Sequence, residues 1–435
     1  MLSPEEAFAR VQAAVIPVST EVMGYSDSFG RVLARDVVAT TRHPSHDNSA
    51  MDGYAVCSGD GSTQSETSRL RVVGRSRCGK PFDGRMSPGT AVRIFTGALI
   101  PDGADAVVIQ ENVTSEARDA TQDDGYDIEF STTVSPGLNV RKAGENYQPG
   151  DVLLSAGTVI GPAAVGLLAS ARALQVEVFR RPRVAILGTG DEVTSPEMAT
   201  GAPGEIVDGN GPMLQAAACS LGAEVIYQER CGDDPKEQLD WFAKAVLEAD
   251  VVLTTGGASV GDHDLIADVW EHHGIETDFW KVAMKPGKPL RFGRAIRADG
   301  GVCLVFALPG NPLSAWTGFQ LFGAPALRRM MGHEAVRPFG VRLPITREMK
   351  KRPGRAHFVR GRVVLSSEGY AFEPATRQGS AMLRAAASQS WLGELPADAS
   401  NVPMGTEICV WHPDSGIRDM HPGPEQTGSG SKENA

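Results

Sequence analysis

The stretch VAILGTGDEV, residues 184–193, sets the architecture. Its opening run has no polar alternation, which is the pattern of a strand buried on both faces, and glycines end it in a tight turn. The same grammar continues downstream. PMLQAAACSLG (212–222) reads as a helix closed by Gly222, and AEVIYQ (223–228) as the next strand. Asp234-Pro235-Lys236-Glu237 is a helix start, with an Asp cap, Pro in the first position and Glu in the third. Behind it, Leu239, Phe242, Ala243, Val246 and Leu247 follow a helical stripe. VVLTT (251–255) and CLVFAL (303–308) are further strands, and the second leads into a helix from about 312 to 331. Alternating strands and helices predict a mostly parallel sheet covered on both faces, over roughly residues 175–330.

The flanking text differs. Residues 1–40 begin with an amphipathic helix, SPEEAFARVQ, capped by Ser3 with Pro4 in its first turn, and continue as short extended pieces. Residues 41–134 are β-rich between turn clusters such as SGDGST (58–63) and MSPGT (86–90), as expected of a small β domain. Residues 135–180 join a glycine-rich loop to an apolar helix, GPAAVGLLASA (161–171). After about 335 the pattern returns to strands, RLPI, HFVRGRVVL and TEICVW, as expected of a compact all-β domain. The final PGPEQTGSGSKENA (422–435) has the composition of a disordered tail.

With 435 residues the chain has room for about three cores. A net charge of −11 argues against a general nucleic-acid binder held by counterion release. Six cysteines lie far apart, without CxxC or Cys/His metal spacing, so reduced thiols are expected. No apolar run reaches the ~18 residues of a membrane span, and the start of the chain is unlike a signal peptide. A soluble, cytoplasmic protein is the expectation.

Ligands of open α/β sheets bind at the carboxyl ends of the strands. GTGDEV (188–193) places Asp191 and Glu192 there; it lacks the third glycine of a dinucleotide fingerprint, and its acids also read as helix caps. TTGGASVGDHD (254–264) offers Gly256, Gly257 and Ser259 for close approach of a phosphate, followed by Asp262 and Asp264. It lacks the GK[ST] ending of a P-loop. KVAMKPGKPLRFGRAIR (281–297) carries six basic residues and no acid inside an acidic protein, with Lys285 and Lys288 clamped by prolines. LPGNP (308–312) ends the last strand, with Pro312 in the first helical position. Carboxylates, glycines and lysines at one sheet edge suit phosphoryl chemistry assisted by a hard divalent cation such as Mg²⁺. The β-rich region has a polar cluster of its own, HPSHDNSAMDGYAV (43–56), followed by IFTGALIPDGADAVV (94–108); Asp52 and Thr96 there read equally as turn residues.

DNSAMDGYAV, TGALIPDGADAVV, GLNVRKAGEN, LGTGDEV, DDPKEQL, TTGGASVGDHD, KPGKP and LPGNPLSA occur in the order found in the molybdopterin molybdenumtransferases, the MoeA/gephyrin E-domain family, which the chain resembles over residues 1–412. The resemblance implies a multidomain α+β fold. Its parts would be an extended and helical linker domain (1–40 with 135–174), an inserted β domain (41–134), a parallel α/β molybdopterin-binding domain (175–330) and a C-terminal β-barrel (335–412), before the tail (413–435). The implied reaction is Mg²⁺-dependent insertion of molybdate into adenylylated molybdopterin, with release of AMP. A homodimer is implied, its active site formed between the α/β domain of one chain and the β domain of the other, with partner enzymes of molybdenum cofactor synthesis.

Carried over position by position, the resemblance assigns catalysis to Glu192, Asp52, Thr96, Lys285 and Lys288. Substrate contacts fall to Gly256, Gly257, Ser259, Asp264, Asp234, Pro309, Pro312, Arg141 and Ser380, and the metal to Glu192 and Asp264. One departure is Asn146, where the family reads Asp in GED. It motivates the rival expectation of a dimeric scaffold whose site has weakened. A hydrolase sharing only the α/β domain is the other rival.

Overall fold

The computed structural model describes residues 1–63, 65–116, 124–256, 265–388 and 390–412. The calls at Gly257, Ser259 and Asp264 and the tail therefore lie outside the described residues. Two compact units emerge: residues 1–35, 156–162 and 175 onward, and residues 36–155 with 163–174.

In the first unit the mostly parallel sheet expected from VAILG is present, with six strands. Its strands are β1 (Arg183–Thr189), β2 (Glu224–Cys231), β3 (Val251–Thr255), β4 (Glu276–Trp280), β5 (Arg291–Ile296) and β6 (Val302–Leu308), in the spatial order β2-β1-β3-β6-β5-β4. The first four of that order run parallel, while β5 runs antiparallel to β6 and β4 antiparallel to β5. Successive side chains of a strand point to opposite faces, and the cores follow that period. Val184, Ile186, Leu253 and Phe306 enter one core with Leu214 and Phe322. Ala185, Leu187, Val252 and Val305 enter another with Trp241, Phe242 and Trp270. The helices are α1 (Asn210–Ser220), α2 (Pro235–Glu248), α3 (Leu265–His272) and α4 (Pro312–Gly318). The expected helix of 312–331 is interrupted: α4 passes through a π-turn, Phe319–Gly323, into Ala324–Met330.

The N-terminal helix, Pro4–Ala14, has the cap expected at Ser3, whose hydroxyl accepts from the Glu6 N–H at 3.2 Å, and the Glu6 side chain completes a capping box. The C-terminal strands are β7 (Gly340–Pro344), β8 (Ala356–Ser366), β9 (Gly369–Pro374), β10 (Trp391–Leu395) and β11 (Glu407–Trp411). They pair in the order β9-β8-β10-β11-β7, and the Ile345–Phe372 bridge returns the chain just past β7 to β9, curling the sheet into a ring around Val359, Phe372 and Val410. Met284–Lys285, from the basic segment, adds beside β8 as a short parallel strand.

The second unit is built on a six-stranded sheet ordered 106–109, 53–56, 90–94, 68–76, 126–130 and 114–115. Val56, Leu70, Val72 and Ile128 fill its core. Short ladders, Asn48–Ser49 with Val140–Arg141 and Val37–Val38 with Val152–Leu154, extend it.

Candidate active site

An open cleft of about 570 Å³ lies at the carboxyl ends of β1, β3 and β6. Glu192, Asp208, Asn210, Gly256, Pro309 and Pro312 are among the residues that wall it. Each reaches it for a local reason. Gly190 has φ of +129°, a backbone state that disfavours other residues, and a Cβ there would come within 2.6 Å of the Glu192 carboxylate folded over it. The Glu192 side chain is exposed and makes no hydrogen bond among the described residues. Gly256 (φ +100°) lets β3 turn against β1, because a Cβ would lie 2.5 Å from the Thr189 carbonyl oxygen. The Thr189 hydroxyl in turn donates to the Thr255 carbonyl at 3.3 Å.

Asp208 and Asn210 carry the other wall. The Asp208 carboxylate, one residue before the Gly209 cap position, is buried and accepts from the first-turn N–H groups of Asn210 (3.0 Å) and Gly211 (2.9 Å), while Arg230 lies 3.5 Å away. Asn210 donates from Nδ2 to the Gly310 carbonyl at 2.8 Å, which ties α1 to the PGNP turn. Its Oδ1 is buried without a partner among the described residues. Neither residue was singled out from the sequence. Asp-Gly-Asn ahead of a helix reads as an ordinary cap, and only the lone Oδ1 sets it apart.

The remaining candidates divide. Pro309 and Pro312 line the cleft. Ser380 reaches its edge through the backbone: its carbonyl accepts from the Leu313 N–H at 2.9 Å, and the adjoining Ala381 is a wall residue. Asp234 does not line the cleft; its carboxylate caps α2 by accepting from the Lys236 N–H at 2.9 Å. Asp191 also serves structure, accepting from the Asp233 N–H at 2.8 Å. The KPGKP turn stands at the correct end of the sheet, because β5 enters antiparallel with Arg291 opposite Ala307. Its Pro289 walls the cleft and Lys288 is exposed beside it. Lys285 instead lines a separate basic cavity.

In the second unit Asp52 and Thr96 come together across 44 residues of sequence. One Asp52 oxygen accepts from both the Thr96 N–H (2.7 Å) and its hydroxyl (2.8 Å). These bonds, with help from Arg93, hold the Asp52 carboxyl below the usual carboxylate range. Asp47 is lowered similarly by Lys142 and the Ala143 N–H, each at 2.8 Å. Arg141 pairs through its backbone with Asn48 and leaves its side chain exposed.

A Mg²⁺ ion takes one or two protein carboxylates and completes its shell with water and substrate phosphates. Among the described residues no group of three or more His, Cys, Asp or Glu could hold a metal. Glu192 provides one uncommitted carboxylate, a donor set that suits a cation carried largely by its substrate. All six cysteines are free, and no described helix is long and apolar enough to cross a membrane.

Three family models match in succession: the MoeA N-terminal region (domain I and II) over residues 2–171, a probable molybdopterin binding domain over 185–329, and the MoeA C-terminal region (domain IV) over 342–412. A molybdopterin molybdenumtransferase of Haemophilus influenzae is 34% identical over 416 residues, covering 94% of this chain and 98% of the relative. Another from Nostoc sp. is 34% identical over 395 residues, covering 90% and 88%. The crystal structure of a molybdopterin biosynthesis MoeA protein from Pyrococcus horikoshii superposes with a TM-score of 0.80 at 27% identity, covering 95% of this chain and 100% of that one. With all three regions matched in order along nearly its whole length, the chain belongs to the MoeA family of molybdopterin molybdenumtransferases.

Proposed function

We propose that the chain acts in molybdenum cofactor synthesis by inserting molybdate into adenylylated molybdopterin and releasing AMP. The observation that carries this reading is the exposed, uncommitted Glu192 carboxylate in a cleft whose other acid, Asp208, is buried and engaged with backbone N–H groups. A pterin is rich in N–H donors, and the backbone carbonyls at the ends of β1, β3 and β6 border the cleft that would receive it. Gly190 leaves room for the Glu192 carboxylate to fold over its turn, and Gly256 lets β3 close on β1, so both shape the cleft that would receive the substrate. Lys288, on the rim, offsets charge gathering on the departing phosphate. Mg²⁺, when bound, neutralises and polarises the phosphoanhydride; Glu192 would hold it, with Asp264 the second carboxylate that the resemblance supplies. Glu192 otherwise orients the attacking oxygen.

Asp52, kept ionised by Thr96, is an acceptor for a proton or a hydrated oxyanion. In a homodimer, Asp52, Thr96 and Arg141 of one protomer would serve the cleft of its partner. Soluble cytoplasmic placement and hand-over to partner enzymes of the same synthesis complete the reading. The test is molybdate-dependent AMP release from adenylylated molybdopterin by the purified chain with Mg²⁺. Glu192→Ala is expected to lower turnover at least about a hundredfold with pterin binding nearly intact. Near-normal turnover in Glu192→Ala overturns the assignment, and AMP release that ignores molybdate overturns the reaction.

A further inference from the structure

The second cavity, of about 410 Å³, is lined by Lys285, Lys350, Lys351, Arg352, Arg355 and His357 and shares no wall residue with the Glu192 cleft. Backbone pairing assembles it. Lys285 sits opposite His357 in the short parallel ladder beside β8, and Lys350 pairs with Asn401. Lys351 is anchored to one wall, its ammonium donating to the carbonyls of Pro396 (2.6 Å), Ala397 (3.1 Å) and Ala399 (2.8 Å). Acidic neighbours are few: Glu348 reaches only to 4.0 Å from Lys350, and Asp398 acts on Lys351 from a distance. Lys285, Arg352 and Arg355 make no ion pair or side-chain hydrogen bond among the described residues.

Among the lining residues His357 is 5% exposed, and its Nδ1 is buried without a partner among the described residues. Burial, reinforced by Lys285, Lys351, Arg355 and Arg360, drives its pKa to about 4, so the ring is neutral in ordinary buffers. A chain of net charge −11 has acids in excess, yet among the described residues Lys285, Arg352 and Arg355 line one cavity without an acidic partner. Such a cluster is self-repelling until an anion enters it, and a buried polar nitrogen calls for a partner.

We propose that this cavity is an oxyanion site, apart from the cleft, that takes a tetrahedral dianion such as phosphate or molybdate. Arg352 and Arg355 supply forked donors, Lys285 a point charge, and His357 a donor from inside. Because Lys285 belongs to the same turn as Pro289, an anion held here sits one turn away from the cleft wall.

The test reads binding and so is independent of turnover. The full-length chain, with labelled histidine, is titrated in separate arms with inorganic phosphate and with molybdate while the His357 ring is followed by NMR. Expected are saturable shifts of that ring and a rise of its pKa, since a bound anion favours imidazolium. Arg352→Ala/Arg355→Ala should weaken binding at least about tenfold with an unchanged thermal midpoint, and Glu192→Ala should bind as the unaltered chain does. Tighter binding of molybdate than of phosphate marks the site as one for the transfer substrate, and equal binding marks it as a general dianion site. The proposal is overturned by an absence of saturable binding for both anions, by a His357 ring that does not respond, by full affinity in the double variant, or by loss of binding in Glu192→Ala.

Discussion

Asp52 owes its low pKa to a single neighbour that donates twice, so the backbone and hydroxyl contributions of Thr96 can be separated. Thr96→Val keeps the N–H and removes the hydroxyl. The Asp52 pKa is then expected to rise part of the way toward the ordinary value of about 3.9, which carboxyl-carbon NMR titration measures. The sign for stability follows. The folded pKa lies below the unfolded one, so the contribution is present above the unfolded value and is lost as pH falls through the folded value. Thr96→Val therefore narrows the acid window over which this carboxylate supports the fold. Glu192 is the opposite kind of residue, uncommitted in its surroundings, and its removal is expected to cost chemistry while leaving stability nearly unchanged.

Elements explain which parts of the molecule were legible in advance. VAILG, VVLTT and CLVFAL announced themselves because strands buried on both faces carry unbroken apolar runs, and the Ser3 and Asp234 caps because their side chains act within a few residues. The path of the basic segment was less visible. Local pattern places a turn at KPGKP, but that Lys285 would join the C-terminal sheet opposite His357 depends on pairing with residues about 70 positions away. Asp208 and Asn210 hid for a related reason: residues that only start a helix and residues that also wall a cleft share one sequence signature. The β3 turn offers a test at this scale. Gly256→Ala places a methyl group 2.5 Å from the Thr189 carbonyl at a φ of +100° and should lower unfolding stability by about 1–3 kcal/mol. Denaturant titration measures it, and an unchanged midpoint would show that β1 and β3 separate freely.

For the whole molecule, the proposed sharing of sites between protomers makes a quantitative demand. Chains carrying Glu192→Ala and chains carrying Asp52→Ala should each be nearly inactive alone. After co-refolding, half of the dimers are mixed and each regains one intact site, so about a quarter of the original activity should return. Mixtures that stay inactive would place all of the catalytic groups on one chain. A further property follows from the ring in which Ile345 meets Phe372. Closure satisfies backbone donors that an open sheet would present to solvent. Nicking by a protease within 396–406 would release β11 and bare the flanks of β7 and β10, two sticky templates at once. Material nicked there is expected to associate through these bared edges, which a dye that binds cross-β fibres would report, while β11 keeps them paired in the uncut chain.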